Sequence, residues 1–194
     1  VTALQSIISR ERHPLRPAVI TVGAFHAGNK HNIIPDRAEL QLTLRSNDEE
    51  TRALLHESVR RVAINIARAH GVAETDLPEV RITLGTPVNA NDPALARRLN
   101  AVMARTLGAD AVSPYSQTLM AGEDFAYFSV GQTGVPSYYF VVGGTPREAF
   151  EAADKGGPAV ASHHSPQFRI TPRESVTLAT RAMVAAVLEL ADAP

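Results

Sequence analysis

The sequence predicts a mixed α/β chain in two parts: a small antiparallel sheet covered by helices on one face, then an α/β portion. Three observations carry this. "AELQLTLR" (38–45) alternates, with Ala38, Leu40, Leu42 and Leu44 on one face and Glu39, Gln41, Thr43 and Arg45 on the other. That is the pattern of a half-buried strand in an antiparallel sheet. Residues 46–71 form a long amphipathic stretch with Leu55, Val59, Val62 and Ile66 in one stripe. The turn-rich "TPVNANDP" (86–93) then separates this pattern from the remainder of the chain, dividing it at 1–87 and 88–194.

In chain order, Leu4, Ile7 and Ile8 have helical spacing, and Pro14 and Pro17 end that helix. The opening residues show no basic segment before the apolar ones and read as the middle of a helix. The chain is therefore expected to begin inside a larger protein. "AVITVGAF" (18–25) is apolar and β-branched, hence a strand, and "HAGNKHN" (26–32) is a turn-rich connection. The helix over 46–71 is expected to start in a capping box of Ser46 with Glu49, carry its acids in the first turn, and stop at Gly71. "EVRITLGTPV" (79–88) alternates again and predicts a further strand. Helix, strand, strand, helix, strand is most of a ferredoxin-like layer, whose remaining strand would lie before the first helix.

In the second part, Asp92 caps a helix with Pro93 at its first position, running to Leu107 and ending at Gly108. "QTLMAGEDFAYF" (117–128) reads as a loop entering a short helix, and "PSYYFVVGG" (136–144) as a buried strand ending on two glycines. Residues 145–161 read as a Gly-, Ala- and Pro-containing loop. The last helix is expected to be capped by Thr171, with Pro172 first and Glu174 closing a second capping box.

Composition removes several functions. Net charge is -1, from 19 basic and 20 acidic residues, and there is no Trp, so no basic-aromatic surface for nucleic acid is expected. No apolar run reaches the ~20 residues of a membrane span. Without Cys there is no thiolate chemistry and no Cys-ligated zinc within the chain, which fits a cytoplasmic location. There is no G-x-S-x-G, P-loop, G-x-G-x-x-G or H-E-x-x-H.

Three stretches carry chemistry. His163 and His164 stand before Pro166, close to a helix start, and either could offer a ring nitrogen to Zn²⁺; a lone histidine makes no metal site. Glu123 and Asp124 in "MAGEDFAYF" (120–128) are ordinary first-turn acids, or line a site at which backbone N–H groups hold an anion. Between the first two strands lie His26, His31 and Asn32, consistent with plain hairpin chemistry. Arg45 is a surface charge or a bidentate clamp for a carboxylate.

In this order, "HAGNKHNIIPDRAELQLTLRS", "MAGEDFAYF" and "HHSPQF" resemble the M20 metallopeptidase family, in its amidohydrolase branch of hippurate hydrolases and N-acyl-amino-acid amidohydrolases. The second motif departs slightly, with Ala121-Gly122 where Gly-Ser is usual. The resemblance implies a ferredoxin-like lid that forms homodimers, set into an α/β hydrolase domain with two divalent metals (Zn, Mn, Ni or Co). Residues 1–87 would be most of the lid, and 88–194 the C-terminal portion of the hydrolase domain. It further implies His164 as a metal ligand with His163 as a neighbour. Asn32 and Arg45 match positions that hold the scissile carbonyl and the substrate carboxylate, across the dimer. Glu123 and Asp124 match the pocket-lining loop. The substrate class is a small N-acyl amino acid, hydrolysed by metal-activated water with a glutamate as proton shuttle. The other metal ligands and that glutamate are expected upstream of residue 1, so the chain alone should bind no metal stably and be inactive. The competing reading is a non-catalytic lid fragment that only dimerises, or a peptidase of the same family.

Overall fold

The computed structural model describes residues 1–113, 120–129 and 134–192. They form two compact units. The first comprises 1–89 with the described part of 117–135, and the second the described parts of 90–116 and 136–194.

The first unit has helix α1 (Thr2–Ser6), a wider π turn (Ile7–Glu11), strands β1 (Ala18–Ala27) and β2 (Ala38–Ser46), and helix α2 (Glu49–Ala69). β1 and β2 pair antiparallel, from Ala18 opposite Ser46 to Ala27 opposite Ala38. Gly23 is unmatched: Val22 faces Leu42 and Ala24 faces Gln41. Ile20 and Val22 stand opposite Leu44 and Leu42 on the core face, whereas beyond the bulge Phe25, opposite Leu40, is exposed. The core is Leu4, Ile7, Ala18, Ile20, Leu55 and Val59, with Val62 and Val80 packed against it.

The start of α2 differs from the expected capping box. Ser46 ends β2, and the cap is Asp48, whose side chain accepts from Thr51 N–H at 2.7 Å and from the Thr51 hydroxyl at 2.8 Å. An ionised carboxylate accepts both bonds better than a serine hydroxyl, and the Thr51 backbone bond holds the Asp48 carboxyl below its ordinary range. Such a depressed group stabilises the fold above its unfolded pKa of about 3.9 and loses that contribution as pH falls through the folded value. Asp48→Ala should therefore cost about 1 kcal/mol at pH 7. In urea unfolding, the gap to wild type should start to narrow once pH falls below the unfolded value of about 3.9, and go on narrowing until the cap itself is protonated. At its other end α2 stops as expected: Gly71 has φ +77°, Gly71 N–H bonds Arg68 C=O, and Val72 N–H bonds Ala67 C=O.

Residues 79–88 are not a strand among the described residues. Their backbone is held by side chains instead of a ladder. Arg52 donates to Leu84 C=O, and Glu49 accepts from Val88 N–H at 2.9 Å. An alternating pattern reports a half-buried face, and a strand also needs a neighbouring backbone.

The second unit pairs α3 (Pro93–Leu107) with α5 (Pro172–Ala191), Leu99 and Met103 against Ala182 and Ala186. Asp92 caps α3 through Leu95 N–H at 2.7 Å, Pro93 follows, and Gly108 ends it, as the sequence predicts. Residues 136–144 are half-buried in part and no strand is assigned to them. The Asn91 side chain stands in for a ladder, donating to Tyr139 C=O at 2.8 Å and accepting from Tyr139 N–H at 2.7 Å. Thr171 is the residue before α5, but it makes no side-chain cap. Its hydroxyl turns to Gly144 C=O, at 3.3 Å, beside its own N–H bond to the same oxygen at 2.8 Å.

The expected loop at 145–161 contains helix α4 (Arg147–Asp154). "REAFEAAD" consists largely of strong helix formers, and it closes in a C-terminal motif that the Gly-Gly pair makes possible. Gly156 has φ +86° and donates to Ala153 C=O, and Gly157 donates to Ala152 C=O at 2.9 Å. Among the described residues, no helix is long and apolar enough to cross a membrane.

Candidate functional site

Arg45 lies near the end of β2, opposite Val19. Its Nη1 donates to the carbonyl of Met120, which brings the acid-bearing segment 120–128 against the strand. The guanidinium edge formed by Nε and Nη2 has no partner among the described residues, so a two-donor fork remains for a carboxylate.

Glu123 and Asp124 start a short 3₁₀ turn, Asp124–Phe128. The Glu123 side chain caps it, accepting from Phe125 N–H at 3.2 Å. Asp124 is exposed. The two adjacent acids thus differ in use: Glu123 is engaged in its own loop, and Asp124 is presented to solvent. Residues 117–119, where the sequence pattern starts this loop, lie outside the described residues.

Asn32 is in the β1–β2 connection, exposed, in a turn where Ile33 N–H reaches Lys30 C=O at 3.4 Å. That connection joins Ala27 and Ala38, the last pair of the ladder, whereas Arg45 is at its other end. At about 3.3 Å per residue, the strand from Ala38 to Arg45 spans roughly 23 Å. The connection that carries Asn32 therefore leaves the strand pair at the end away from Arg45.

His163 and His164 belong to the second unit. They are the inner residues of a turn closed by Ser165 N–H on Ser162 C=O at 2.9 Å, and a second turn adjoins it, Phe168 N–H on Ser165 C=O at 3.0 Å. Both rings are exposed, with centroids 4.4 Å apart. A backbone pinned on both sides presents imidazoles well. Yet the described residues contain no group of three or more His, Asp or Glu able to hold a metal ion. The donor set among the described residues does not fit a catalytic metal, which needs three protein ligands.

Sequence reasoning missed Tyr127 and Gly85. Tyr127 donates its hydroxyl to Gly85 C=O at 2.7 Å. The only signal was an aromatic beside the acid pair, and its partner is remote in sequence.

Comparison with known proteins shows what the chain is similar to. The peptidase dimerisation domain of the M20 group matches residues 2–70. YhaA of Bacillus subtilis, which carries an amidohydrolase name, is 34% identical over 179 residues, 92% of this chain and 41% of its own length. Hippurate hydrolase of Campylobacter jejuni is 35% identical over 130 residues, covering 66% of this chain and 32% of its own. An N-acetyldiaminopimelate deacetylase of Streptococcus thermophilus is 34% identical over 139 residues, 70% of this chain and 34% of its own. The chain thus spans between 32% and 41% of the length of these relatives. Among solved structures, the Bacillus subtilis YXEP protein, described as a dinuclear metal-binding peptidase of the M20 family, has the same fold. It matches at TM-score 0.62 and 23% identity, over 97% of this chain and 45% of its own. An aminohydrolase structure from methicillin-resistant Staphylococcus aureus matches at TM-score 0.71 and 23% identity, over 97% of this chain and 43% of its own. The dimerisation domain and these relatives agree with the three motifs: the chain belongs to the M20 peptidase family.

Proposed function

We propose that the protein to which this chain belongs hydrolyses the amide bond of small N-acyl amino acids, and does so as a homodimer through the first unit. Kinship with hydrolases named for hippurate and N-acetyldiaminopimelate supports the substrate class. The carrying structural observation is the separation of Asn32 from Arg45 along β2. A donor for the scissile carbonyl at one end of the strand pair and a clamp for the substrate carboxylate at the other would serve one ligand from two copies. Arg45 offers its Nε–Nη2 edge to the carboxylate. Asn32 of the second copy stabilises the developing oxyanion. Asp124 lines the pocket beside Arg45. His164 contributes one metal ligand, the others coming from residues outside this chain.

The exposed apolar residues of the hairpin agree with a second copy as its cover. Ile34 is 95% exposed, Ile33 64% and Phe25 59%, all within the span matched by the dimerisation domain. In sedimentation, the wild-type chain should be a dimer and Ile34→Asp should shift it to monomer. A dimer unaffected by Ile34→Asp would remove the hairpin from the interface.

Complementation tests the shared site in the complete protein. Asn32→Ala and Arg45→Ala should each abolish release of benzoate from hippurate. Mixed and re-equilibrated, they should regain about a quarter of wild-type activity, because half the dimers are mixed and each holds one intact site. No recovery would mean that both residues act within one copy, or not at all.

One observation favours a second reading for the isolated chain. With no cluster of three ligand residues among those described, it would be a non-catalytic, dimerising piece.

A further inference from the structure

Residues 84–88 lie between two sets of contacts. On one side the first turns of α2 hold them, through Arg52 on Leu84 C=O and Glu49 on Val88 N–H. On the other side lies the segment Met120–Phe128. Tyr127 reaches Gly85 C=O, and Gly122 approaches Thr86 so closely that a Cβ there would sit 2.7 Å from Thr86 Oγ1. Arg45 adds a third tie, at Met120 C=O. Inside the segment Ala126 is fully buried, and the Phe125 and Phe128 rings lie 5.9 Å apart. Two hydrogen bonds and one close approach, at Gly85–Thr86 and at Arg45, hold the segment at both its ends and leave it little freedom to pivot.

We infer that Arg45 and Tyr127 are positioning residues that latch Met120–Phe128 onto the first unit, making the Glu123–Asp124 pair a fixture of that unit. In sequence the segment lies between two stretches of the second unit, yet its contacts belong to the first. Arg45 then has two separable tasks. Holding one carbonyl needs a single N–H donor, which Lys also has. Clamping a carboxylate needs the planar two-donor fork, which Lys lacks. A side chain at Gly122 would meet the Thr86 hydroxyl, so either that hydroxyl or the segment would have to give way.

Amide hydrogen exchange on the 194-residue chain tests the latch without substrate, and so independently of the amidohydrolase reading. In peptides covering 120–129, Tyr127→Phe and Arg45→Ala should exchange about tenfold faster than wild type, the size expected for losing one hydrogen bond that closes a local opening. Arg45→Lys should return close to wild type, and peptides of α3 should exchange alike in all four proteins. Equal rates at 120–129 in every variant would overturn the latch. So would Arg45→Lys behaving as Arg45→Ala, or Tyr127→Phe accelerating α3 as much as 120–129. In the complete protein, Arg45→Lys should keep the protection while raising KM for hippurate about tenfold or more through the lost fork. Protection kept with KM unchanged would count against the clamp and leave the latch standing.

Discussion

Leu55→Ala is expected to destabilise the first unit by about 3 kcal/mol, with a range of roughly 2–5 for such truncations. Leu55 has no solvent-exposed surface and sits at the centre of the cluster that joins α1, β1 and α2. The cost has two parts: the lost transfer of the side chain from water, and the cavity that its neighbours cannot close. Here the neighbours are Ile7, Ile20 and Val59, on three different elements. With so few layers in this unit, little else can compensate. Chemical denaturation followed by circular dichroism would measure it. A loss below about 1 kcal/mol would show that α2 is not the keystone of the unit. Val62→Ala, at the half-buried end of the same stripe, should cost visibly less.

The second large effect concerns chemistry. If the proposed function holds, the complete protein should release benzoate from hippurate, whereas the 194-residue chain by itself should release none at any metal concentration. One histidine cannot hold a catalytic ion against water, and the described residues supply no group of three ligands. Titration with Co²⁺, monitored by its visible spectrum, should show no tetrahedral site on the chain, and His164→Ala should leave the titration unchanged. In the complete protein, the same substitution should abolish turnover and release metal. Turnover by the pure chain would overturn the division of the site.

Much of the fold was legible where a feature depends on near neighbours. Asp92-Pro93 and Gly108 bound α3 because capping involves residues within one turn. Gly71 ends α2 for the same reason. The β2 alternation was readable because a strand with one buried face repeats every second residue. α4 was equally local, but a short helix with a Pro before it and two glycines after it resembles a loop when composition is weighed ahead of capping. The alternating 79–88 segment and the apolar 136–144 segment misled in a different way. Their patterns describe burial, and strand pairing requires a second backbone that sequence alone does not supply.

By itself, then, the sequence determined the family, both ends of α3, the end of α2 and the residues with reactive side chains, because motifs and those caps are written in consecutive residues. Only the tertiary structure decided how those residues are grouped. It set Asn32 and Arg45 at opposite ends of one strand pair. It put the Met120 carbonyl on Arg45 and the Tyr127 hydroxyl on Gly85, and it turned Glu123 inward while leaving Asp124 in solvent. Most of these contacts join residues remote in the chain. Such contacts form only when packing fixes both backbones, so no local pattern records them.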